Sequence, residues 1–235
     1  MSDKHLSTQF DAELAGVSAR VLEMGGLVEA QVAQAVAALT GLDAAAAEGV
    51  LREESRVNRM DVEIDRDLCG IIARRQPTAR DLRLLIAVSK TIANLERAGD
   101  EAARIARTVQ RLLAGDAAPR LRLPLSDLAF EAGLATAQLR KALDAFARLD
   151  TGSALEVLRL DDQIDREFEG LLRKLITYMM EDPRTISAAI DLVFVAKAIE
   201  RVGDHAKNLA EAIIYVVEGT DVRHRTVDAV QRALS

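Results

Sequence analysis

The chain is written twice. Ala198-Ile199-Glu200-Arg201-Val202-Gly203-Asp204-His205-Ala206 is a second version of Asn94-Leu95-Glu96-Arg97-Ala98-Gly99-Asp100-Glu101-Ala102, at a distance of 204 − 100 = 104 positions. Upstream, Val57-Asn58-Arg59-Met60-Asp61-Val62-Glu63-Ile64-Asp65-Arg66 matches Val157-Leu158-Arg159-Leu160-Asp161-Asp162-Gln163-Ile164-Asp165-Arg166 at 165 − 65 = 100. A period this long is too large for a solenoid unit and fits half of a protein. Whatever the chain folds into is therefore built from two similar parts in tandem.

Composition says what those parts are made of. Hydrophobic residues make up 49% of the 235, yet only 3% are aromatic and there are four prolines, a profile of all-α proteins. Such a length buries a substantial core, as one elongated domain or two small ones. Apolar residues at Phe10, Leu14, Val17, Val21, Met24, Val28, Val32, Ala35 and Leu39 step by three and four, the spacing of a bundle helix that ends near Gly41. A second helix is expected from Ala44 to Ala73, broken by Pro77 because the residue before a proline is pushed out of helical geometry. The third carries the cleanest seam, with Leu85, Ile92, Leu95, Gly99, Ala102 and Ala106, and adding 104 to its positions reproduces the seam of the sixth. The fourth and fifth are expected over Leu125–Leu149 and Ser153–Met180, with Pro183 repeating the break. These readings give six long helices as two tandem, pseudo-symmetric three-helix bundles. The first spans residues 1–115 and the second 124–218, with a linker over 116–123 and a C-terminal tail over 219–235 that folds only in part or against a partner.

Charge and cysteine usage narrow the setting. A net charge of −6 without a basic patch of interleaved aromatics argues against nucleic acid as a partner. Cys69 is the only cysteine, so no intrachain disulfide forms and a reducing cytoplasm is the expected home; its spacing suggests a small buried thiol. Met1–Phe10 lacks the apolar stretch of a secretory signal. The most apolar run, Ile186–Ile199, contains Asp191 and Lys197 and is too short to span a bilayer, so a membrane is reached only through partners.

The chemistry-bearing residues are acidic. Asp61, Asp65, Glu96 and Asp100 each follow a seam position by one residue, as do Asp161, Asp165, Glu200 and Asp204. One residue turns a helix by about 100°, so these side chains should flank the core, and packing of the second helix on the third would line four of them along one groove in each half. A solvated charged face with pairs such as Asp100–Arg104 or Asp204–Lys207 is one reading. The other is metal binding, since like charges four apart cost a helix about 0.2–0.5 kcal/mol per pair and a cation relieves that. All-oxygen donors suit magnesium, manganese or iron, with Asn58, Asn208 and His205 as supplementary candidates. No Glu-x-x-His, Walker-type loop, Cys-x-x-Cys or nucleophile elbow occurs, which argues against a ferritin-like oxidase or a hydrolase. Arg74, Arg75, Arg80 and Arg83 read as a solvated helix junction or a docking surface for an acidic partner.

Glu96-Arg97-Ala98-Gly99-Asp100 and Glu200-Arg201-Val202-Gly203-Asp204-His205, with the Asp-x-x-x-Asp pairs and Asp221-Val222-Arg223-His224, resemble the PhoU family of phosphate-uptake regulators. The resemblance covers nearly the whole chain. It implies metal ions (iron, manganese, magnesium or zinc) held at Asp61, Asp65, Glu96 and Asp100 and again at Asp161, Asp165, Glu200 and Asp204. It also implies a non-enzymatic, cytoplasmic role in restraining phosphate uptake and the starvation response. The implied partners are the ATPase subunit of the phosphate ABC transporter and a phosphate-responsive sensor histidine kinase. Exposed seams on thin bundles suggest a homodimer. A metal-dependent enzyme, a metal store and an unmetallated scaffold are the alternatives. Glu101, where the second copy has His205, suggests that the two metal sites differ.

Overall fold

A computed structural model describes residues 2–114 and 124–234. These residues form seven α-helices: α1 (Ser2–Gly41), α2 (Ala44–Arg75), α3 (Ala79–Ala114), α4 (Leu125–Arg148), α5 (Thr151–Glu181), α6 (Ile186–Glu218) and α7 (Val227–Leu234). The expected linker over 116–123 lies outside the described residues. Helices α1–α3 form one three-helix bundle and α4–α6 the other. They are joined side by side through α3 against α6 and α1 against α4, so that buried Val21, Leu95, Leu139 and Ile199 belong to one continuous core. Arg111 of α3 meets Asp191 of α6 at one end while Lys90 lies over the Tyr215 ring at the other, so the two central helices run antiparallel.

Local chemistry sets where the helices begin. Asp43 accepts hydrogen bonds from the backbone N–H groups of Ala45 and Ala46, and Asp150 does the same for Gly152 and Ser153. Caps of this kind are worth about 1 kcal/mol each. Each follows a residue in the left-handed region, Leu42 (φ 47°) and Leu149 (φ 49°), which turns the chain back on itself. Deeper in, the side-chain amide of Gln31 donates to the Val50 carbonyl (3.2 Å), and that of Gln138 donates to the Val157 carbonyl (3.0 Å). Gly99 and Gly203 make room for these glutamines: a Cβ there would lie 3.2 Å from Gln31 Oε1 and 2.9 Å from Gln138 Oε1.

These pairs reveal a register that the sequence match conceals. Cap, turn and glutamine pin are all related by 150 − 43 = 107 positions. Buried Ala47, Val50, Val57, Ile64 and Leu68 of α2 correspond at that distance to buried Ala154, Val157, Ile164, Leu171 and Leu175 of α5. The Asp-x-x-x-Asp motifs, 100 apart in sequence, are therefore displaced by seven residues in packing. Seven residues are close to two helical turns, so the slip keeps the same face toward the core and leaves the seam pattern intact. A charge reversal marks the same register: Arg20 pairs with Asp67 in the first bundle, and Asp127 pairs with Lys174 at the corresponding places in the second.

Two expectations are corrected. The tail does not wait for a partner: Val222 and Val230 are buried, α7 packs on α5, and Arg159 donates to Gln231 Oε1 at 2.7 Å. Cys69 is exposed rather than a buried thiol, because Leu68 and Ile71 take the core-facing positions and one further residue turns the thiol to solvent. At the helix junction, Arg75 makes a two-pronged ion pair with Glu13 (2.8 and 3.0 Å), and Arg83 donates to the Val216 carbonyl at 3.4 Å.

Candidate functional site: two acidic grooves

In the first bundle α2 and α3 bring Asp61, Glu96 and Asp100 together. Burial raises the Glu96 pKa, and the charges of Asp100, Asp61 and Glu54 raise it further. Asp100 is raised by burial and by Glu54, and Asp61 by burial and by Asp65. Glu54 is thus a member of the groove that the sequence motif does not include. It accepts two hydrogen bonds of 2.7 Å from Arg107. Asp65 sits at the far end, exposed, where it accepts from Ser89 at 3.5 Å.

The second groove, between α5 and α6, gathers Asp161, Asp165, Glu200 and Asp204. Burial pushes the Asp204 carboxyl up to about 6, helped by Glu200 and Asp161. Asp165 is raised by burial and then by Asp161 and Glu200. In packing, Asp161 stands where Glu54 stands in the first bundle and Asp165 where Asn58 stands, which is why both acids of the α5 motif join the groove. Asp161 is itself buried rather than merely flanking the core. Lys207 pairs with it, and Lys197 with Glu200 (2.6 Å). The residues 104 positions earlier are Ala103 and Ala93, so the first groove lacks both lysines. The expected surface pairs are replaced: Lys207 serves Asp161, and Arg104 serves Glu101 at 3.4 Å.

Glu101 and His205 do not distinguish the grooves. Both lie at the seam between bundles, where buried Glu101 forms an ion pair with Arg201 (3.1 Å) and His205 Nδ1 lies 3.1 Å from Asn94 Oδ1. Asn208 also turns to Asn94, at 3.0 Å. Burial and the nearby Arg201 and Arg97 push His205 down to about 4, keeping it neutral at physiological pH. The second bundle has one more acid: Glu131 of α4 is buried, neither carboxylate oxygen has a hydrogen-bond partner among the described residues, and burial with Glu200 and Glu167 nearby pushes it up to about 8.

Chemically, each groove is a concentration of carboxylates, and the raised pKa values of Asp61, Glu96, Asp100, Asp165 and Asp204 record desolvation and the repulsion of neighbouring acids. That donor set fits hard divalent cations in kind. Among the described residues no three His, Cys, Asp or Glu side chains are already gathered about a common point for a metal ion. No helix among them is long and apolar enough to cross a membrane.

Paired three-helix bundles with an acidic groove in each define a class of all-helical proteins, and comparison with known proteins identifies it. The PhoU domain matches residues 21–109 and 131–213, one match per bundle, and the chain belongs to the PhoU family. It is 52% identical over 224 residues to a phosphate-specific transport system accessory protein PhoU homolog of a Burkholderia species, covering 95% of each chain. It is 44% identical over 234 residues to phosphate-specific transport system accessory protein PhoU of Escherichia coli K12, covering 99% of this chain and 95% of that one. The crystal structure of PhoU from Pseudomonas aeruginosa superposes with a TM-score of 0.85 at 43% identity, covering 90% of this chain and all of that one. The phosphate transport system regulatory protein PhoU from Streptococcus pneumoniae gives 0.83 at 27% identity, covering 91% of this chain and 99% of that one.

Proposed function

We propose that this protein is a cytoplasmic regulator of phosphate uptake and a negative regulator of the phosphate-starvation response. It acts as an adaptor between the ATPase subunit of a phosphate ABC transporter and a phosphate-responsive sensor histidine kinase. The observation that carries this reading is the near full-length identity to phosphate-specific transport system accessory proteins. Long helical faces suit an adaptor: Ile186, Ile190 and Phe194 of α6 are exposed at four-residue spacing, an apolar stripe that fits a partner helix or a second copy in a homodimer. The action is binding rather than turnover.

Iron, manganese, magnesium or zinc is the expected cofactor. Asp61, Glu54, Glu96 and Asp100 would hold it in the first groove, with Asp65 at its edge, and Asp161, Asp165, Glu200 and Asp204 in the second. A bound cation supplies charge neutralisation and a cross-link between neighbouring helices. In the second groove Lys207 and Lys197 already supply part of that charge, and they must move off Asp161 and Glu200 for those carboxylates to coordinate. The first groove has Arg107 on Glu54 as its only comparable contact among the described residues.

The test is alkaline phosphatase activity at high phosphate in a strain lacking this protein, complemented by wild type or by the Asp100→Asn, Asp204→Asn double variant. The reading expects high activity without the protein and silencing by wild type but not by the variant. Low activity throughout would remove the starvation response from its duties.

A further inference from the structure

Helices α3 and α6 carry the duplicated motif and pack antiparallel on one another, so each contact between them has an equivalent at the other end of their seam. One end is closed by charge: Arg201 pairs with Glu101 (3.1 Å) and Arg111 with Asp191 (3.0 Å). The offset of 104 puts Arg97 in the place of Arg201, His205 in that of Glu101, Tyr215 in that of Arg111 and Ala87 in that of Asp191. Both acids and one arginine are gone. Where the two ion pairs would stand, the seam opens into a cavity of about 330 Å³ between α3 and α6, rimmed by Asp221 and Arg223 of the following turn. None of the acids assigned to the two grooves lines it.

The charges of this cavity line it without meeting. Arg97 and Lys90 stand exposed on the α3 wall, and Glu211 is half-buried on the α6 wall. None of the three side chains makes a hydrogen bond or ion pair among the described residues. Arg97 is left over because an imidazole carries no negative charge in either protonation state, so His205 does not answer it as Glu101 answers Arg201. Beside Glu211, Asn208 donates its amide N–H to Asn94 Oδ1 (3.0 Å), which leaves its own oxygen as an acceptor. Between the cations and these acceptors the lining is apolar, with Ala87, Ala212 and the Tyr215 ring, over which Lys90 lies at 5.6 Å.

Size and chemistry together select the ligand. Small-molecule sites run from about 300 to 1,000 Å³, and this one has room for about ten waters at ~30 Å³ each, so a single inorganic anion leaves most of it empty and also faces Glu211. An apolar ligand leaves Arg97, Lys90 and Glu211 unanswered. A molecule with negative groups along one side, a flat body and N–H donors on the other satisfies every wall. We propose that this cavity binds a nucleoside diphosphate with an amino-bearing base. Arg97 and Lys90 take the phosphates, and the base lies against Ala212 and Tyr215 with its exocyclic amine donating to Glu211. Seven residues separate the two cations along α3, about 10 Å, a span for two phosphates rather than one. Adenine, guanine and cytosine each carry such an amine, whereas uracil has carbonyls there, which a carboxylate repels. A site built to accept from a ligand N–H rejects the analogue lacking it.

The experiment is calorimetric titration of the full chain at pH 7.5 with ADP, GDP, UDP and pyrophosphate, with a chelator present so that no metal in the acidic grooves recruits phosphate groups. Saturable binding of ADP or GDP, with UDP and pyrophosphate about tenfold weaker or more, is the expected result. Arg97→Ala, at an exposed position, weakens that binding at least about fivefold with the helical circular dichroism unchanged. Glu211→Gln brings UDP within about twofold of the better amino-bearing nucleotide. The Ala87→Asp, Tyr215→Arg double variant copies the closed end of the seam and abolishes binding; Arg97→Ala carries the test if that variant does not fold. No saturable binding of ADP or GDP at about 10 mM, UDP or pyrophosphate bound as tightly by wild type, undiminished affinity in Arg97→Ala, or binding retained by the folded double variant would each overturn the proposal. The outcome is independent of the adaptor reading, which the phosphatase reporter tests separately.

Discussion

Glu131 of α4 occupies the place that Met24 occupies in α1, 131 − 24 = 107 positions earlier, and both are buried. One bundle packs a thioether there and the other a carboxyl group beside Glu167 and Glu200. A raised carboxyl pKa means that folding is opposed once the group must ionise. The stability penalty is absent below the unfolded value near 4.5 and grows as pH rises to about 8. At about 1.4 kcal/mol per pH unit the full effect is several kcal/mol. Glu131→Met, copying the first bundle, should therefore raise the thermal midpoint of chelator-treated protein at pH 8 by several degrees, and by much less at pH 5. Differential scanning calorimetry at the two pH values checks both the size and the pH dependence.

The second groove should show the same conflict between stability and binding at Asp204. Its carboxyl, raised to about 6 by burial and by Glu200 and Asp161, opposes folding increasingly between pH 4 and 6 when no cation is present. Asp204→Asn removes that charge. Because the side chain is only half-buried, the gain is about 1–2 kcal/mol after screening, a rise of roughly 2–8 °C for a chain of this size. Calorimetry of the metal-free variant at pH 7.5 should show that rise, and wild-type metal uptake by the second groove should fall as pH drops through 6.

The seven-residue slip makes a sharper prediction about which acids belong to the first groove. Glu54→Gln should lower metal affinity there about tenfold, and Asp65→Asn should change it about twofold or less. Equilibrium dialysis against manganese on an Asp204→Asn background isolates that groove.

That slip is also where sequence reading reached its limit. The duplicated Glu-x-x-x-Asp pairs on α3 and α6, the two proline breaks and the bundle seams were all legible, because each depends on local spacing. The motif match hid the register of α2 against α5, since a displacement of two turns preserves the apolar face. One signal was present: Pro77 follows Asp65 by 12 residues, while Pro183 follows Asp165 by 18, so α5 is extended beyond its motif. Counting back from the breaks would have aligned Glu54 close to Asp161. The contact of His205 with Asn94 and the isolation of Glu131 depend on which helices meet, and no spacing along one helix encodes that.

The lysines of the second groove act as tethered counter-ions. Ala103 shows that the fold accepts alanine at the place corresponding to Lys207. Lys207→Ala should raise metal affinity in the second groove about threefold to tenfold by freeing Asp161, measured by dialysis on an Asp100→Asn background. Lower affinity would mean that Lys207 organises the site rather than competes for it.

Exposed Cys69 should react with a thiol reagent in the folded protein at a rate near that of a free thiol, and Cys69→Ser should leave the thermal midpoint within about 1 °C. A thiol that reacts only after denaturation would return Cys69 to the core.

Elemental analysis of the purified protein should find bound iron, manganese, magnesium or zinc. Asp100→Asn and Asp204→Asn should each lose the share of one groove, and the double variant should lose nearly all of it. Metal content unchanged in both single variants would contradict the ligand assignment.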